Sequence, residues 1–180
     1  VLGRATRLSS HLTGGDKTYE ATIRLGFSTD TDDAEGRSLG PTSSARPDEA
    51  ALLAALERFR GAFEQLPPSH SAKKVGGQPA YKLARKNIPL ELKPVEVTVF
   101  SIELVECAST DIRLKVHCSA GTYLRGIAHD LGRAYGCGAF LQSLVRLRSA
   151  EFTRMIDDVQ AGTTDLEQAG RALLAGVLSR

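Results

Sequence analysis

Residues 111–132 constrain the fold of this chain more than any other stretch. Ile112, Leu114, Val116 and Cys118 alternate with Arg113, Lys115 and His117, the period of a strand with one buried face. A Ser-Ala-Gly-Thr turn follows. From Thr122 the apolar residues Leu124, Ile127, Ala128 and Leu131 recur at helical spacing as far as Gly136, which predicts an amphipathic helix. A strand handed directly to such a helix requires sheet and helix to share one core. The junction also places Tyr123 and Arg125 in the first helical turn, where unpaired backbone N–H groups favour negative charge. A permanent cation there works against the helix dipole by roughly a few tenths of a kcal/mol. The position therefore predicts an anionic partner for Arg125.

The remaining segments extend this frame. Tyr19, Ala21, Ile23, Leu25 and Phe27 alternate with Glu20, Thr22, Arg24 and Gly26, a second half-buried strand. Residues 28–46 are rich in Ser, Thr, Asp, Gly and Pro and read as loop. Pro47-Asp-Glu opens a helix predicted to run to about Glu64, with Leu52, Leu53, Leu56, Phe59 and Phe63 at helical spacing, until Pro67-Pro68 stops it. Residues 67–93 have no clean period and read as a mobile basic insertion with a short helix at Ala80–Lys86. Residues 94–106 form a strand whose apolar register shifts near Ser101, a signature of a bulge. In the strand Ala139–Arg148, one face is predicted to carry Leu141, Val145 and Leu147. The other carries Phe140, Gln142, Leu144, Arg146 and Arg148, so that Leu144 lines a wet pocket. Thr164 and Glu167 form a capping box for a last helix with Leu166, Leu173, Leu174 and Val177. The pattern as a whole is α+β with a largely antiparallel sheet.

Composition narrows the function classes. At 180 residues, 42% hydrophobic and 24% charged, the chain reads as one globular domain with a sizeable core. No apolar run approaches the roughly 18 residues of a membrane span, and no secretory signal is visible. Cys107, Cys118 and Cys137 are an odd number without motif spacing, which predicts a reduced, cytoplasmic setting. A zinc site built on Cys107, His117, Cys118 and Cys137 is disfavoured, because adjacent His117 and Cys118 point to opposite strand faces. The formal net charge is only +2, but it is unevenly spread. Residues 73–94 carry Lys73, Lys74, Lys82, Arg85, Lys86 and Lys93 against Glu91, a net +5, whereas residues 30–37 carry Asp30, Asp32, Asp33 and Glu35 against Arg37, a net −3. The basic stretch fits a surface facing a polyanion and equally fits a solvated loop.

Three ordered segments resemble the TruB-type tRNA pseudouridine synthases. They are Asp16-Lys-Thr-Tyr-Glu-Ala-Thr-Ile-Arg-Leu-Gly26 continuing into Thr29-Asp-Thr-Asp32; Leu66-Pro-Pro-Ser-His-Ser-Ala-Lys-Lys74 followed by Tyr81-Lys-Leu-Ala-Arg85; and Cys118 to Gly132 with Gly136-Cys-Gly-Ala139 and Leu144-Val-Arg146. The resemblance covers roughly residues 1–150. It implies a pseudouridine-synthase-type mixed, largely antiparallel sheet flanked by helices. Residues 1–158 would then be a partial catalytic domain and 159–180 a C-terminal helix. It implies isomerisation of a tRNA T-loop uridine to pseudouridine: the base is detached, rotated and rejoined through C5, after the nucleotide is flipped from its stack. No metal or organic cofactor is implied, the partner is tRNA through its T-loop and T-stem, and neither a membrane nor an obligate protein partner is called for. By position, Tyr19 matches a tyrosine that stacks on the flipped base and is implicated in removing the C5 proton. Tyr123 matches a substrate-pocket tyrosine, Arg125 the arginine that pairs with the catalytic aspartate, and Leu144 a leucine packed against the target base. Residues 67–93 match an RNA-gripping thumb, with Lys73, Lys74, Lys82, Arg85 and Lys86 as its basic residues and Arg146 as a further RNA contact. His70 and Val75 stand where relatives often carry aromatics.

The family nucleophile is an aspartate in a Gly-x-Leu-Asp-Pro motif, and these 180 residues do not contain it. In relatives it falls just upstream of the segment matching Val1-Leu-Gly-Arg. The expectation is that Arg125 meets an aspartate lying outside this sequence, and that these residues alone are inactive. A non-catalytic tRNA-binding or tRNA-folding module is the alternative.

Overall fold

The computed structural model describes residues 14–40, 43, 48–71, 73–84, 86, 89 and 91–149, without the side chains of Lys74 and Val75. The elements are β1 (Lys17–Leu25), α1 (Glu49–Glu57), β2 (Gly61–Gln65), β3 (Lys74–Val75), β4 (Gln78–Pro79), α2 (Ala80–Ala84), β5 (Val95–Ala108), β6 (Asp111–Cys118), α3 (Leu124–Tyr135) and β7 (Ala139–Ser149). Five strands form one antiparallel sheet in the order β2-β5-β6-β1-β7. β3 and β4 make a separate hairpin. This is the expected α+β class.

The alternation works as read. Tyr19, Ala21, Ile23 and Leu25 are buried on the same face as Ile112, Leu114, Val116 and Cys118. Leu124, Ile127, Ala128 and Leu131 of α3 and Leu52 and Leu56 of α1 cover that face. β5 shifts register between Val99 and Ser101, as the sequence indicates, and again between Leu104 and Glu106. The predicted helix at 164–178, the segment at Val1-Leu-Gly-Arg, Pro47 and Arg85 lie outside the described residues.

Two expectations are overturned. The helix read as far as Glu64 ends at Glu57, and residues 61–65 form the edge strand β2. Arg58 caps the helix by donating its N–H to the Ala55 and Leu56 carbonyls. Gly61 then takes φ +90°, a conformation that other residues adopt only with strain. Phe59 and Phe63, spaced as if on a helix, instead meet edge to face across this turn, centroids 6.2 Å apart, and both pack on the core. The second correction concerns β7. Thr22 pairs with Ser143 and Ile23 with Leu141, so Gln142 is bulged out; Thr18 pairs with Arg148 and Tyr19 with Arg146, so Leu147 is bulged out. The bulges move Leu144 opposite Ala21 and Arg146 opposite Tyr19, hence onto the core face of β1. Val145 and Leu147, expected to share a face with Leu141, are exposed.

Candidate active site

The anion predicted for Arg125 is present within the chain. Arg125 Nη1 lies 2.8 Å from Asp33 Oδ2 and 3.4 Å from the Thr31 carbonyl oxygen, while Nη2 donates to the His70 carbonyl at 2.9 Å. Both partners of the ion pair are only 23% exposed, so the pair is screened less than a surface pair. Asp33 is itself held: its Oδ1 accepts from Thr31 Oγ1 at 2.5 Å and from the Glu35 N–H at 3.1 Å. Sequence reasoning singled out the acidic loop by its charge but not Asp33 as the partner. One guanidinium therefore ties together the start of α3, the loop after β1, and the base of the 67–93 insertion.

The loop is fixed to the sheet as well. Ala34 N–H donates to the Leu141 carbonyl at 3.0 Å, and the Leu141 N–H donates to the Asp32 carbonyl at 2.9 Å. One helical turn beyond Arg125, His129 Nδ1 lies 2.9 Å from Asp32 Oδ1. Two residues spaced i, i+4 on α3 thus meet two consecutive carboxylates, as neighbours on one helix face can.

Leu141 also belongs to β7, whose bulges bring Leu144 and Arg146 over β1. Tyr19 is 8% exposed and belongs to the core, and the Arg146 guanidinium sits 5.5 Å from its ring centroid, within cation–π range. Leu144 is 43% exposed. The structure therefore gathers Tyr19, Leu144 and Arg146, and joins them through Leu141 and the 29–38 loop to Arg125.

Tyr123 is the N-cap residue of α3, with φ −101° and ψ 107° and no side-chain cap. Its backbone is held instead by Gln65, the last residue of β2: Nε2 donates to the Tyr123 carbonyl at 2.9 Å, and the Tyr123 N–H donates to Oε1 at 2.8 Å. Gln65 is 3% exposed. Sequence reasoning missed it, and its placement in a strand read as helix removed the one available signal, a buried amide at a strand end.

The described part of the basic insertion contains regular structure. The β3–β4 hairpin turns at Gly76-Gly77, with φ of +56° and +82°. Tyr81 N–H donates to the Ser71 carbonyl at 3.0 Å and Ala80 N–H to the Lys73 carbonyl at 2.7 Å, so the short helix α2 folds back on the insertion's own start. Lys82 and Lys86 are exposed and Lys73 is half-buried.

Other chemistry is not assembled. Among the described residues no group of three or more His, Cys, Asp or Glu is placed to hold a metal ion. Burial pushes the Cys118 thiol up from its ordinary value, which keeps it protonated and a poor nucleophile. A groove of about 550 Å³ between α1 and β5, lined by Leu53, Leu56, Arg60, Ile102 and Val105 among others, contains none of the expected site residues.

Residues 1–124 match the TruB family pseudouridylate synthase (N terminal domain). A tRNA pseudouridine synthase B of Solibacter usitatus (strain Ellin6076) is 49% identical over 152 residues, 84% of this chain and 52% of that protein. That of Burkholderia mallei (strain NCTC 10247) is 44% identical over 181 residues, 98% of this chain and 60% of that protein. The chain thus spans about half the length of the curated relatives it matches. Among solved structures, Cbf5 in a Cbf5-Nop10-Gar1 complex aligns with a TM-score of 0.59 at 26% identity, covering 83% of this chain and 35% of that one. An H/ACA RNP bound to a substrate RNA aligns at 19% identity with a TM-score of 0.55, covering 92% of this chain and 42% of that one, a likeness of fold.

Proposed function

Because this chain belongs to the TruB family of pseudouridylate synthases, we propose that the protein isomerises the T-loop uridine of tRNA to pseudouridine. The observation that supports this most is the placement of Arg125: a cation at a helix start, tied to the His70 carbonyl and to Asp33, in a loop that Leu141 anchors to the strand carrying Leu144 and Arg146. In this reading the uridine is flipped out and its base stacks on Tyr19 in place of the Arg146 guanidinium that covers the ring, a contact worth roughly 1–3 kcal/mol. Leu144 packs against the base and the Tyr123 side chain borders the pocket. The bond from the ribose to N1 breaks, the base rotates, a bond from the ribose to C5 forms, and Tyr19 takes part in removing the C5 proton.

Arg125 orients and keeps ionised the nucleophilic aspartate of the Gly-x-Leu-Asp-Pro motif, which these 180 residues lack. A guanidinium has five N–H donors. Among the described residues the contacts of Arg125 use Nη1 and Nη2, which leaves the Nε donor for a second carboxylate. Lys73, Lys74, Lys82, Arg85, Lys86 and Arg146 contact the RNA backbone, and no cofactor takes part. We place the activity in the cytoplasm, where the three unbonded cysteines would stay reduced.

The test is tritium release from T-loop RNA labelled at C5 of the target uridine. The native protein is expected to release one tritium per RNA. A preparation confirmed at 19.3 kDa is expected to release none, and turnover by it would overturn the aspartate's role. The alternative reading is a tRNA-binding or tRNA-folding module without catalysis. That reading predicts saturable tRNA binding by the native protein with no tritium release.

A further inference from the structure

We propose that Gln65 is a positioning residue of this site, a buried amide that locks the Tyr123 peptide and thereby aims the start of α3 at the reacting nucleotide. The inference rests on the pseudouridine-synthase reading above.

Helix α3 begins without a cap of its own. Tyr123 occupies the N-cap, its side chain makes no capping hydrogen bond, and no acidic residue lies in the first turn. N-caps usually carry Ser, Thr, Asp or Asn because the first N–H groups of a helix have no internal partner. Here the service comes from 58 residues away. Gln65 binds both polar groups of Tyr123 at once, Nε2–H to its carbonyl at 2.9 Å and Oε1 to its N–H at 2.8 Å. The same carbonyl accepts the first helical bonds, from Gly126 N–H at 3.0 Å and Ile127 N–H at 3.3 Å. A single amide plane thus sets the position and the tilt of the first turn, from which Tyr123 and Arg125 project.

The amide is well placed to transmit order. At 3% exposure it is sealed from water, where a hydrogen bond counts for more and a lost partner is costly. It lies against Gly126, where a Cβ would come within 2.9 Å of Nε2, so the room beside the helix is filled by the amide. Its backbone is anchored in the sheet by the pairing of Gln65 with Val95. Gln65 also stands at the start of the basic insertion. Five residues on, His70 offers its carbonyl to Arg125 Nη2 at 2.9 Å. The base of the insertion therefore grips the first turn of α3 at two points, Gln65 on Tyr123 and His70 on Arg125. Of these, only Gln65 acts on backbone alone and has no part in contacting RNA or the reacting atoms.

The discriminating experiment uses the native full-length protein under single-turnover conditions, well below its melting temperature, with C5-tritiated T-loop RNA. Gln65→Met keeps the volume and removes both hydrogen bonds. It is expected to slow the tritium-release step about 10²-fold, the scale of a small misplacement of reacting groups, while the Kd for the RNA stays within about twofold. A purely structural glutamine would lower the melting temperature and leave the rate of the folded fraction unchanged. If Gln65→Met does not fold, Gln65→Leu serves, since it too removes both the donor and the acceptor. The same slowed rate with unchanged RNA affinity is expected. A wild-type rate in either folded variant, or a loss confined to RNA affinity, overturns the inference. Failure of the wild-type protein itself to release tritium counts instead against the proposed function.

Discussion

Among the described residues two Arg–Asp pairs are half-buried, and they are built differently. At the far end of the β1–β6 ladder, Arg24 reaches Asp111 with two parallel bonds, Nε to Oδ1 and Nη2 to Oδ2, both 2.7 Å. That pair is closed: fork matches fork, the two residues are register partners, and their side chains are 40% and 33% exposed. In the first turn of α3, Arg125 gives Asp33 one bond and spends its second nitrogen on a backbone carbonyl of a different segment. Its side chain is the more buried, and it joins three stretches of chain instead of two neighbouring strands. A closed pair contributes to stability alone. An arginine with its fork divided among several segments holds loops in place.

Changes on the two sides should therefore be felt in different measurements. The largest contrast outside the arginines themselves is expected for Tyr19→Phe, which keeps the ring beneath Arg146 and removes the hydroxyl. It should cut the rate of pseudouridine formation about 10³-fold, within the usual range for loss of a proton-transfer group, and leave the melting temperature nearly unchanged. Next come the two aspartates. Asp33→Asn is expected to slow tritium release about 10²-fold, because Arg125 loses its fixed anion. Asp111→Asn should leave the rate alone and lower stability by about 1 kcal/mol or less, as measured by denaturant unfolding. Equal rates for the two variants would erase the distinction.

A smaller effect is expected on the basic insertion. Replacing Lys73, Lys82 and Lys86 together by alanine should weaken tRNA binding and reduce the slope of log K against log salt by about 2–3. An unchanged slope would mean that these lysines face solvent. The smallest effect is on acid stability. The Arg24 guanidinium holds the Asp111 carboxyl below its ordinary value of 3.8, so the pair's contribution is complete above that pH and is lost as pH falls through the lowered value. The wild type should thus lose stability below about pH 4 more steeply than Asp111→Asn, by about 1 kcal/mol or less.

What could be read before the structure follows the same division. Strict alternation located β6 to the residue and found the buried face of β1, because a period of two with one apolar face has only one register that buries it. It set β1 at 19–27, however, two residues late at each end and with Phe27 beyond the actual strand. The helix α3 and the bend in β5 were legible for similar reasons. The helix misread through 58–64 shows the limit. Leu52, Leu56, Phe59 and Phe63 recur at helical intervals, yet only the first two lie on the helix, since an edge strand after a glycine turn can bring two phenylalanines to the same core. The β7 bulges left no trace in composition, and they decide which side of the sheet Leu144 and Arg146 occupy. The Gly76-Gly77 turn was a recognisable hairpin signal obscured by the surrounding charge. The site itself was half visible. Arg125 announced a missing anion because it stands against a helix dipole, a local property. Asp33 and Gln65 could not be assigned, because their roles come from contacts spanning 92 and 58 residues, and nothing local distinguishes them from other loop acids and strand-end amides.

The contrast between the two arginines is tested most directly by single-turnover tritium release from C5-labelled T-loop RNA, comparing Arg125→Met with Arg24→Met in the native protein. Arg24→Met is expected to stay within about twofold of wild type. Arg125→Met is expected to fall about 10³-fold, the cost of leaving one member of a buried charge pair unmatched at the reacting centre. Release by Arg125→Met at the wild-type rate, or an equal loss in both variants, would contradict the assignment of Arg125 to the catalytic site.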